Sequence, residues 1–142
     1  MVSVGINGSG FVELLKDGAT WFTSTRQPIA NKYNRYVVTF NPNTYIFKVW
    51  LNGKLIITST AYNSFTIGGW SIGGEYLTPA KNAVGASFKN ICKWTTVLTD
   101  TDIAKDNSGV LLISCLEHFH PLDYVDANTL SLENQGIGLV IV

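Results

Sequence analysis

The 142-residue chain has little charge, few cysteines and no long apolar run, and each scarcity excludes a class of protein. Charged residues make up 14% of the sequence, against about 25% in an ordinary soluble domain, and ten basic and ten acidic side chains cancel. This balance argues against duplex nucleic acid and anionic membranes as partners, because both require a basic surface. No window approaches the roughly 18 continuous apolar residues of a membrane-spanning helix, so we expect no membrane insertion.

Cysteine usage and the amino terminus indicate the compartment. Cys92 and Cys115 are too few for a disulfide framework, and we expect two buried free thiols, with a single bridge as the alternative. The opening "MVSVGINGSG" has no basic start, and its apolar stretch is too short for the core of a secretory signal. The sequence therefore predicts synthesis in the cytoplasm without a signal peptide.

The dominant pattern is a period of two, interrupted by turn signals at short intervals, which predicts β-strands almost throughout. The glycine-rich residues 5–10 predict a turn, and residues 99–106 predict the one short helix. With no linker or low-complexity segment, the length predicts a single domain over residues 1–142. The predicted strands cover residues 11–15, 20–26, 35–40, 45–51, 54–59, 64–76 (as one strand or two), 86–98, 109–119 and 130–142.

The clearest element is the hairpin "YIFKVWLNGKLIITS". Asn52–Gly53 is the preferred pair for a two-residue type I′ turn, because both positions need a positive φ. Both faces of the hairpin are largely apolar, with Ile56 on one and Ile57 on the other, so we expect a central hairpin covered on each side. A regular register pairs Leu51 with Lys54, Trp50 with Leu55, Val49 with Ile56 and Lys48 with Ile57.

The order of the sequence segments resembles that of a known family. A strand ending in "VTF", a turn, an aromatic-rich strand entering "LNGKLI", a "TIGG" strand and "ASFKNICKWTTVLTDTDI" follow one another over roughly residues 35–105. This order resembles the laminin-G-like, concanavalin A-like lectin/glucanase superfamily. The resemblance implies an antiparallel β-sandwich of the jelly-roll type with one short helix. Fewer strand-forming residues precede "VTF" than in most members, which would allow completion by another chain, and Asn90 replaces a glycine found in many.

Three aspartates in "TDTDIAKD" raise the question of a metal loop. Thr99 and Asp102 have the spacing of a capping box, Asp100 lies where the helix dipole favours an acid, and Ile103 is expected to face the core. Asp106 is expected past the helix end, beside "NSG". A calcium loop of the EF-hand kind would need oxygen ligands where isoleucine and lysine stand, so we interpret the aspartates as a helix start.

Other catalytic and metal-binding patterns are weak. A glucanase of this fold needs clustered carboxylates on one strand, and none of Glu13, Glu75, Glu117 and Glu133 is followed by an aspartate two residues on. His118 and His120 share strand parity and are weak metal candidates, whereas Cys115 and Glu117 have the opposite parity. We therefore predict no enzyme activity, no metal site and no cofactor.

Exposed aromatic rings and amides are the groups through which proteins hold sugars. Trp70 and Tyr76 flank the paired glycines, and Tyr62, Asn63 and Asn82 lie in adjoining predicted loops, so these five form a candidate glycan-contact set. The alternative interpretation is that the rings belong to the core or to a subunit interface.

Two functions follow from the sequence and the resemblance. The uncharged apolar ending "GIGLVIV" would aggregate as an exposed edge strand and must pair within its own sheet or with another subunit. Members of the superfamily that the sequence resembles are common in phage particles, so the resemblance implies a role of this kind. We therefore expect a non-catalytic structural or attachment component of a phage virion, as a capsid decoration or tail fibre protein, contacting subunits of the same or another virion component. The alternative is a free-standing carbohydrate-binding module whose ligands are cell-surface glycans.

Overall fold

The computed structural model describes residues 2–62 and 90–120, which fall into two compact units: residues 2–62 with 97–111, and residues 90–96 with 112–120. The strands are β1 Val2–Ile6, β2 Val12–Lys16, β3 Ala19–Thr23, β4 Tyr36–Asn41, β5 Ile46–Leu51, β6 Lys54–Thr58, β7 Ile91–Trp94 and β8 Leu116–His120, with helix α1 at Asp100–Asn107. All strand pairs are antiparallel, so the described chain is β-rich with one α-helix. The predicted strands over 64–76 and 130–142 lie outside the described residues.

The first sheet of the first unit has the order β1-β2-β3. Strand β1 was not predicted, and the predicted turn over 5–10 begins only after Ile6. Asn7 closes that turn because its side-chain Oδ1 accepts the backbone N–H groups of Ser9 and Phe11, each at 3.0 Å. The β2–β3 turn has positive φ at Asp17 and Gly18, 51° and 83°. Three strands therefore fit into a segment for which the sequence predicted two.

The second sheet has the order β4-β5-β6 and contains the predicted hairpin. Asn52 and Gly53 have φ of 50° and 75°, as the primed turn requires, and Leu51 faces Lys54 while Trp50 faces Leu55. The two further predicted pairs are wrong. The register shifts between Val49 and Trp50, so Val49 faces Ile57 and Lys48 faces Thr58.

The register shift decides which of two adjacent isoleucines is buried. The irregularity places one additional residue on β6, as a β-bulge does, and moves Ile57 to the position predicted for Ile56. Ile57 is 4% exposed and belongs to the core, whereas Ile56 is only partly buried against it. Burial of Ile57 on the same face as Val49 stabilises the shifted register.

One hydrophobic core joins both sheets of the first unit. Val12 and Leu14 of β2 contact the buried side chains of β5 and β6, and partly buried rings such as Trp21 and Tyr62 surround them. Two antiparallel sheets that share a core are compatible with the expected β-sandwich. The fully buried or nearly buried core members are Val12, Leu14, Phe47, Val49, Leu51 and Ile57.

Helix α1 begins with the predicted capping box. The Asp102 N–H donates to Thr99 Oγ1 at 3.2 Å, and the Thr99 N–H donates to Asp102 Oδ2 at 3.0 Å. Ile103 is 1% exposed, as expected. The placement of Asp106 beyond the helix was wrong, because Asp106 lies inside α1 and is buried. No helix among the described residues has the length and apolar character needed to cross a membrane.

Asp106 is buried because Arg35 neutralises it. The Arg35 guanidinium donates through Nε to Asp106 Oδ2 at 2.7 Å and through Nη2 to Asp106 Oδ1 at 2.6 Å. This bidentate pair fastens α1 to the segment before β4. Nearby, Asn52 Oδ1 accepts the Arg35 N–H and its amide donates to Asn34, both within the same unit.

In the second unit, β7 and β8 form a two-stranded ladder in which Cys92 faces Phe119. The predicted strand over 109–119 was too long: a 3-10 helix occupies Ile113–Cys115, and β8 starts only at Leu116. The Cys115 carbonyl accepts the Thr95 N–H at 2.9 Å, which ends the ladder beside that helix. Both cysteines are free thiols, as expected, but only Cys92 is buried, whereas Cys115 is half-buried. Their Sγ atoms donate to the carbonyls of Asn90 and Leu112.

Candidate functional site

Tyr62 is the one member of the predicted glycan-contact set that the structure describes. The predictions for Trp70, Tyr76, Asn63 and Asn82 lie outside the described residues. The weak metal candidates His118 and His120 have their backbone in β8, but their side chains also lie outside what is described.

Tyr62 lies among three residues of the β2–β3 hairpin. Its ring meets Trp21 edge-on, with centroids 5.7 Å apart, and its hydroxyl donates to Asp17 Oδ2 at 3.0 Å. Lys16 Nζ lies 4.4 Å from the centroid of the Tyr62 ring. We name Lys16, Asp17, Trp21 and Tyr62 the Tyr62 cluster. Sequence reasoning missed its hairpin members because they are distant in the chain: Asp17 is 45 positions away from Tyr62.

The polar interactions of the Tyr62 cluster hold its four side chains together. The hydrogen bond to Asp17 raises the pKa of Tyr62 above its ordinary value, with burial and the Asp17 charge acting in the same direction. The Lys16 ammonium is attracted to the face of the same ring. A sugar stacking on the face of Tyr62 that Lys16 covers would have to displace that ammonium. The hydrogen bond from Tyr62 to Asp17 connects the β2–β3 turn to the chain after β6.

A depression opens on the other face of the second sheet, and we name it the β4–β5 depression. Its volume is about 360 Å³, and the ten lining residues that the structure describes belong to the first unit. The floor is nearly closed to solvent, with Thr39 and Trp50 each 3% exposed and Leu98 4%. The lining residues within the described part of the chain are Thr39, Asn41, Thr44, Ile46, Lys48, Trp50, Val97, Leu98, Thr99 and Asp100.

Polar groups of the β4–β5 depression have defined orientations. Asn41 Oδ1 accepts the N–H groups of Asn43 and Thr44 at 2.9 and 3.2 Å, which orients the Asn41 side chain at the end of β4. Lys48 Nζ lies 5.8 Å from the centroid of the Trp50 ring and extends over the floor. The Thr99 hydroxyl is occupied by the helix cap, since it also donates to Asp102 Oδ2 at 2.6 Å.

Strand parity could have indicated one side of this depression. Ile46, Lys48 and Trp50 share a face of β5 in the sequence pattern, and the structure keeps them together on the lining. The other side, residues 97–100, is contributed by the segment that enters α1. No local spacing in the sequence indicates that this segment lies beside β5.

Most acidic side chains that the structure describes have structural partners. Asp102 belongs to the helix cap, Asp106 to the Arg35 pair and Asp17 to the Tyr62 cluster. Glu13 accepts from Thr20 at 3.1 Å, and Glu117 pairs with Lys93 at 2.8 Å. Among the described side chains, no three histidine, cysteine, aspartate or glutamate residues are grouped as metal ligands would be. Asp100 differs from these five in lining the depression.

No protein-family model, curated protein or solved structure matches this chain.

Proposed function

We propose that this chain is a non-catalytic β-sandwich of the concanavalin A-like jelly-roll kind that serves as a structural or attachment component of a phage virion. Support for the sandwich comes from the two three-stranded sheets that share one core. Support for the family comes from the order of its elements, in which the Asn52–Gly53 hairpin is followed by a helix with a capping box.

The observation that carries the structural role is the apolar surface of the described residues. Nine large hydrophobic side chains are exposed there, while charged residues are only 14% of the whole sequence. Single exposed apolar residues are ordinary, but this number on so weakly charged a chain favours burial against neighbouring subunits. The nine are Ile6, Ile29, Tyr33, Leu55, Val97, Val110, Leu111, Ile113 and Phe119.

Strand β6 offers one place where a neighbour could attach. Within the described residues it is the last strand of the second sheet, and Leu55 on it is 47% exposed. An edge strand presents backbone donors and acceptors to which a strand of another chain can pair. A contact of this kind would suit a particle component better than a free-standing module.

The non-catalytic part of the proposal is supported by the use of the carboxylates. Five of the six described acidic side chains hold turns, a helix cap or ion pairs. Moving any of them to act on a substrate would break one of these contacts. A hydrolase of this fold needs two carboxyl groups directed at one bond, and the described acids are instead distributed over separate structural tasks.

Light scattering across a concentration series tests the structural role. We expect a stable oligomer or assembly that increases with concentration. Ile113→Lys should reduce assembly, because the side chain is 73% exposed and a charge there opposes apolar contact. Ala104→Lys, on the exposed face of α1, is the matched control for the added charge. Equal assembly of both variants would exclude the surface around Ile113 from the interface.

Glycan binding is the second candidate function, and the β4–β5 depression favours it. Its lining combines an apolar floor with amide, hydroxyl and charged groups, the combination that a sugar ring requires. The sequence-based contact residues Trp70 and Tyr76 stay a separate prediction. If they form the contact site, their double replacement by alanine should abolish sugar binding without unfolding the chain, and unchanged binding would remove them from the site.

A further inference from the structure

We infer that Asn7–Gly8, in the turn between β1 and β2, is a site of spontaneous deamidation in the folded chain, and that Asn52–Gly53 is protected from the same reaction. The sequence contains these two Asn–Gly pairs and no others. Both pairs lie between two strands of a hairpin, so their surroundings decide which one reacts. The modification is independent of the proposed structural role and of glycan binding.

Deamidation of an asparagine that precedes glycine needs only the chain and water. The deprotonated backbone nitrogen of the glycine attacks the side-chain Cγ and forms a Cγ–N bond. The Cγ–Nδ2 bond breaks, and ammonia leaves with the proton that the glycine nitrogen gave up. Water then adds to one of the two carbonyl carbons of the five-membered imide and opens the ring. The product is aspartate or isoaspartate, either of which carries one new negative charge, and no oxidant or reductant takes part.

The carboxamide of Asn7 is held in a way that assists this reaction. Its Oδ1 accepts the backbone N–H groups of Ser9 and Phe11, each at 3.0 Å. Negative charge develops on this oxygen when Cγ is attacked, and the two N–H donors stabilise that charge as the donors of an oxyanion hole do. None of the hydrogen bonds among the described residues engages Asn7 Nδ2, so no described partner holds the leaving nitrogen in place.

The two turns also differ in the room that they leave for the imide ring. A Cβ added at Gly8 would meet nothing within 4 Å in the described part of the chain, whereas one at Gly53 would approach the Asn107 side chain to 3.0 Å. Forming the imide rotates the backbone of the pair, because Cγ and the glycine nitrogen must join in one ring. The open turn at Asn7 permits this rotation, and the turn at Asn52 is packed against the end of α1.

Asn52 is fixed at both ends of its carboxamide. Its Oδ1 accepts the Arg35 N–H at 2.8 Å, and its Nδ2 donates to Asn34 Oδ1 at 2.9 Å. The backbone N–H of Asn52 also donates to the Arg35 carbonyl at 2.8 Å. These three bonds hold Cγ in place, and the contact with Asn34 is lost in the reaction because Nδ2 departs as ammonia.

The fit of the products favours the same site. At Asn7, an aspartate carboxylate can accept the same two N–H groups, so the turn keeps its hydrogen bonds. At Asn52, a carboxylate would face Asn34 Oδ1 with no proton between the two oxygens. Turning the Asn34 amide over would break the bonds from its Nδ2 to the carbonyls of Ile29 and Lys32.

Peptide mapping by mass spectrometry tests the inference on the full chain. The folded protein is kept in mildly alkaline buffer and digested at intervals, and the fractions of aspartate and isoaspartate at positions 7 and 52 are followed. We expect Asn7 to react at least about tenfold faster than Asn52, the ratio that breaking one or two hydrogen bonds at Asn52 would give. The control is the same chain unfolded in urea, in which the two pairs should react at similar rates because neither turn is formed.

Two variants separate the causes. Gly8→Ala should slow the reaction at Asn7, because a Cβ hinders the attacking nitrogen while the turn has room for it. Asn34→Ala removes the acceptor of Asn52 Nδ2 and should accelerate the reaction at Asn52 while leaving that at Asn7 unchanged. Equal rates at the two pairs in the folded chain, a faster reaction at Asn52, or reaction at Asn7 in urea alone would overturn the inference. An unchanged rate at Asn52 in Asn34→Ala would overturn the protection assigned to that contact.

Discussion

The bidentate pair between Arg35 and Asp106 should contribute more to stability than any other single polar contact described in the first unit. The Asp106 side chain is 5% exposed and that of Arg35 is 26% exposed, and the two N–O distances are 2.6 and 2.7 Å. Removing one partner of a buried pair typically costs about 3–5 kcal/mol, because the other charge remains in a poorly hydrated place. Arg35 can regain some water through its exposed part, so we expect Asp106→Ala to cost about 2–3 kcal/mol.

Urea unfolding measures this cost directly. With a slope of about 1–3 kcal/mol per molar, a loss of about 2–3 kcal/mol lowers the midpoint by roughly 0.7–3 M. The matched control is Asp100→Ala, an exposed aspartate of the same helix, whose loss removes only a dipole interaction of about 0.3–1 kcal/mol. A double-mutant cycle with Arg35→Met isolates the coupling between the two side chains.

Two results would refute this reasoning. If Asp106→Ala is no more destabilising than Asp100→Ala, the pair does not hold α1 in place. If the cycle shows no coupling, Asp106 stabilises the helix through contacts other than Arg35, and the bidentate geometry is without energetic consequence.

The helix cap and the hairpin turn give two more predictions. Thr99→Ala should cost about 1 kcal/mol of unfolding free energy, measured in urea, and a cost near zero would contradict the cap. Hydrogen bonds from Thr99 hold the pKa of Asp102 below its ordinary value, so this stabilisation is complete above the unfolded-state pKa and is lost as pH falls through the folded-state value; an NMR titration showing an ordinary pKa would contradict it. Gly53→Ala should destabilise more than Gly18→Ala in thermal unfolding: both glycines have positive φ, but a Cβ at Gly53 would approach Asn107 to 3.0 Å and one at Gly18 would meet nothing within 4 Å. Equal costs would show that the Asn107 side chain moves aside to make room for the new Cβ.

Local chemistry made parts of the fold predictable. Asn52–Gly53 specifies a primed turn through its φ preference, and Thr99 with Asp102 specifies a helix start through reciprocal hydrogen bonds. Each of these signals acts over no more than four residues. The first two pairs of the hairpin register were therefore correct.

Features that depend on distant contacts were not predictable. Ile56 and Ile57 are chemically identical neighbours, and only the core beneath them selects which one is buried. The sequence placed Asp106 past the end of the helix, because its partner Arg35 is 71 positions away and leaves no local signal. Ile113 belongs to an apolar run that predicted a strand, but it lies in a 3-10 helix. Periodicity alone cannot show whether a partner strand is adjacent.

The candidate site also has a part that the sequence predicts and a part that it does not. Lys48 and Trp50 share a strand face that period two identifies, whereas Asp100 joins them only through the path of the chain into α1. Tyr62 was selected for its aromatic ring, but its hydrogen bond to Asp17 and its contact with Lys16 were invisible in the sequence. Those contacts indicate that Tyr62 has a structural role, in which it holds the β2–β3 turn, rather than the role of an exposed ring for stacking.

The absolute mass of the purified chain in solution, followed by light scattering over a concentration series, tests the proposed structural role most directly. The proposal predicts a mass that is a multiple of 15.6 kDa or one that increases with concentration. A mass that stays at 15.6 kDa throughout would contradict self-assembly as a building block and would favour a free-standing binding module.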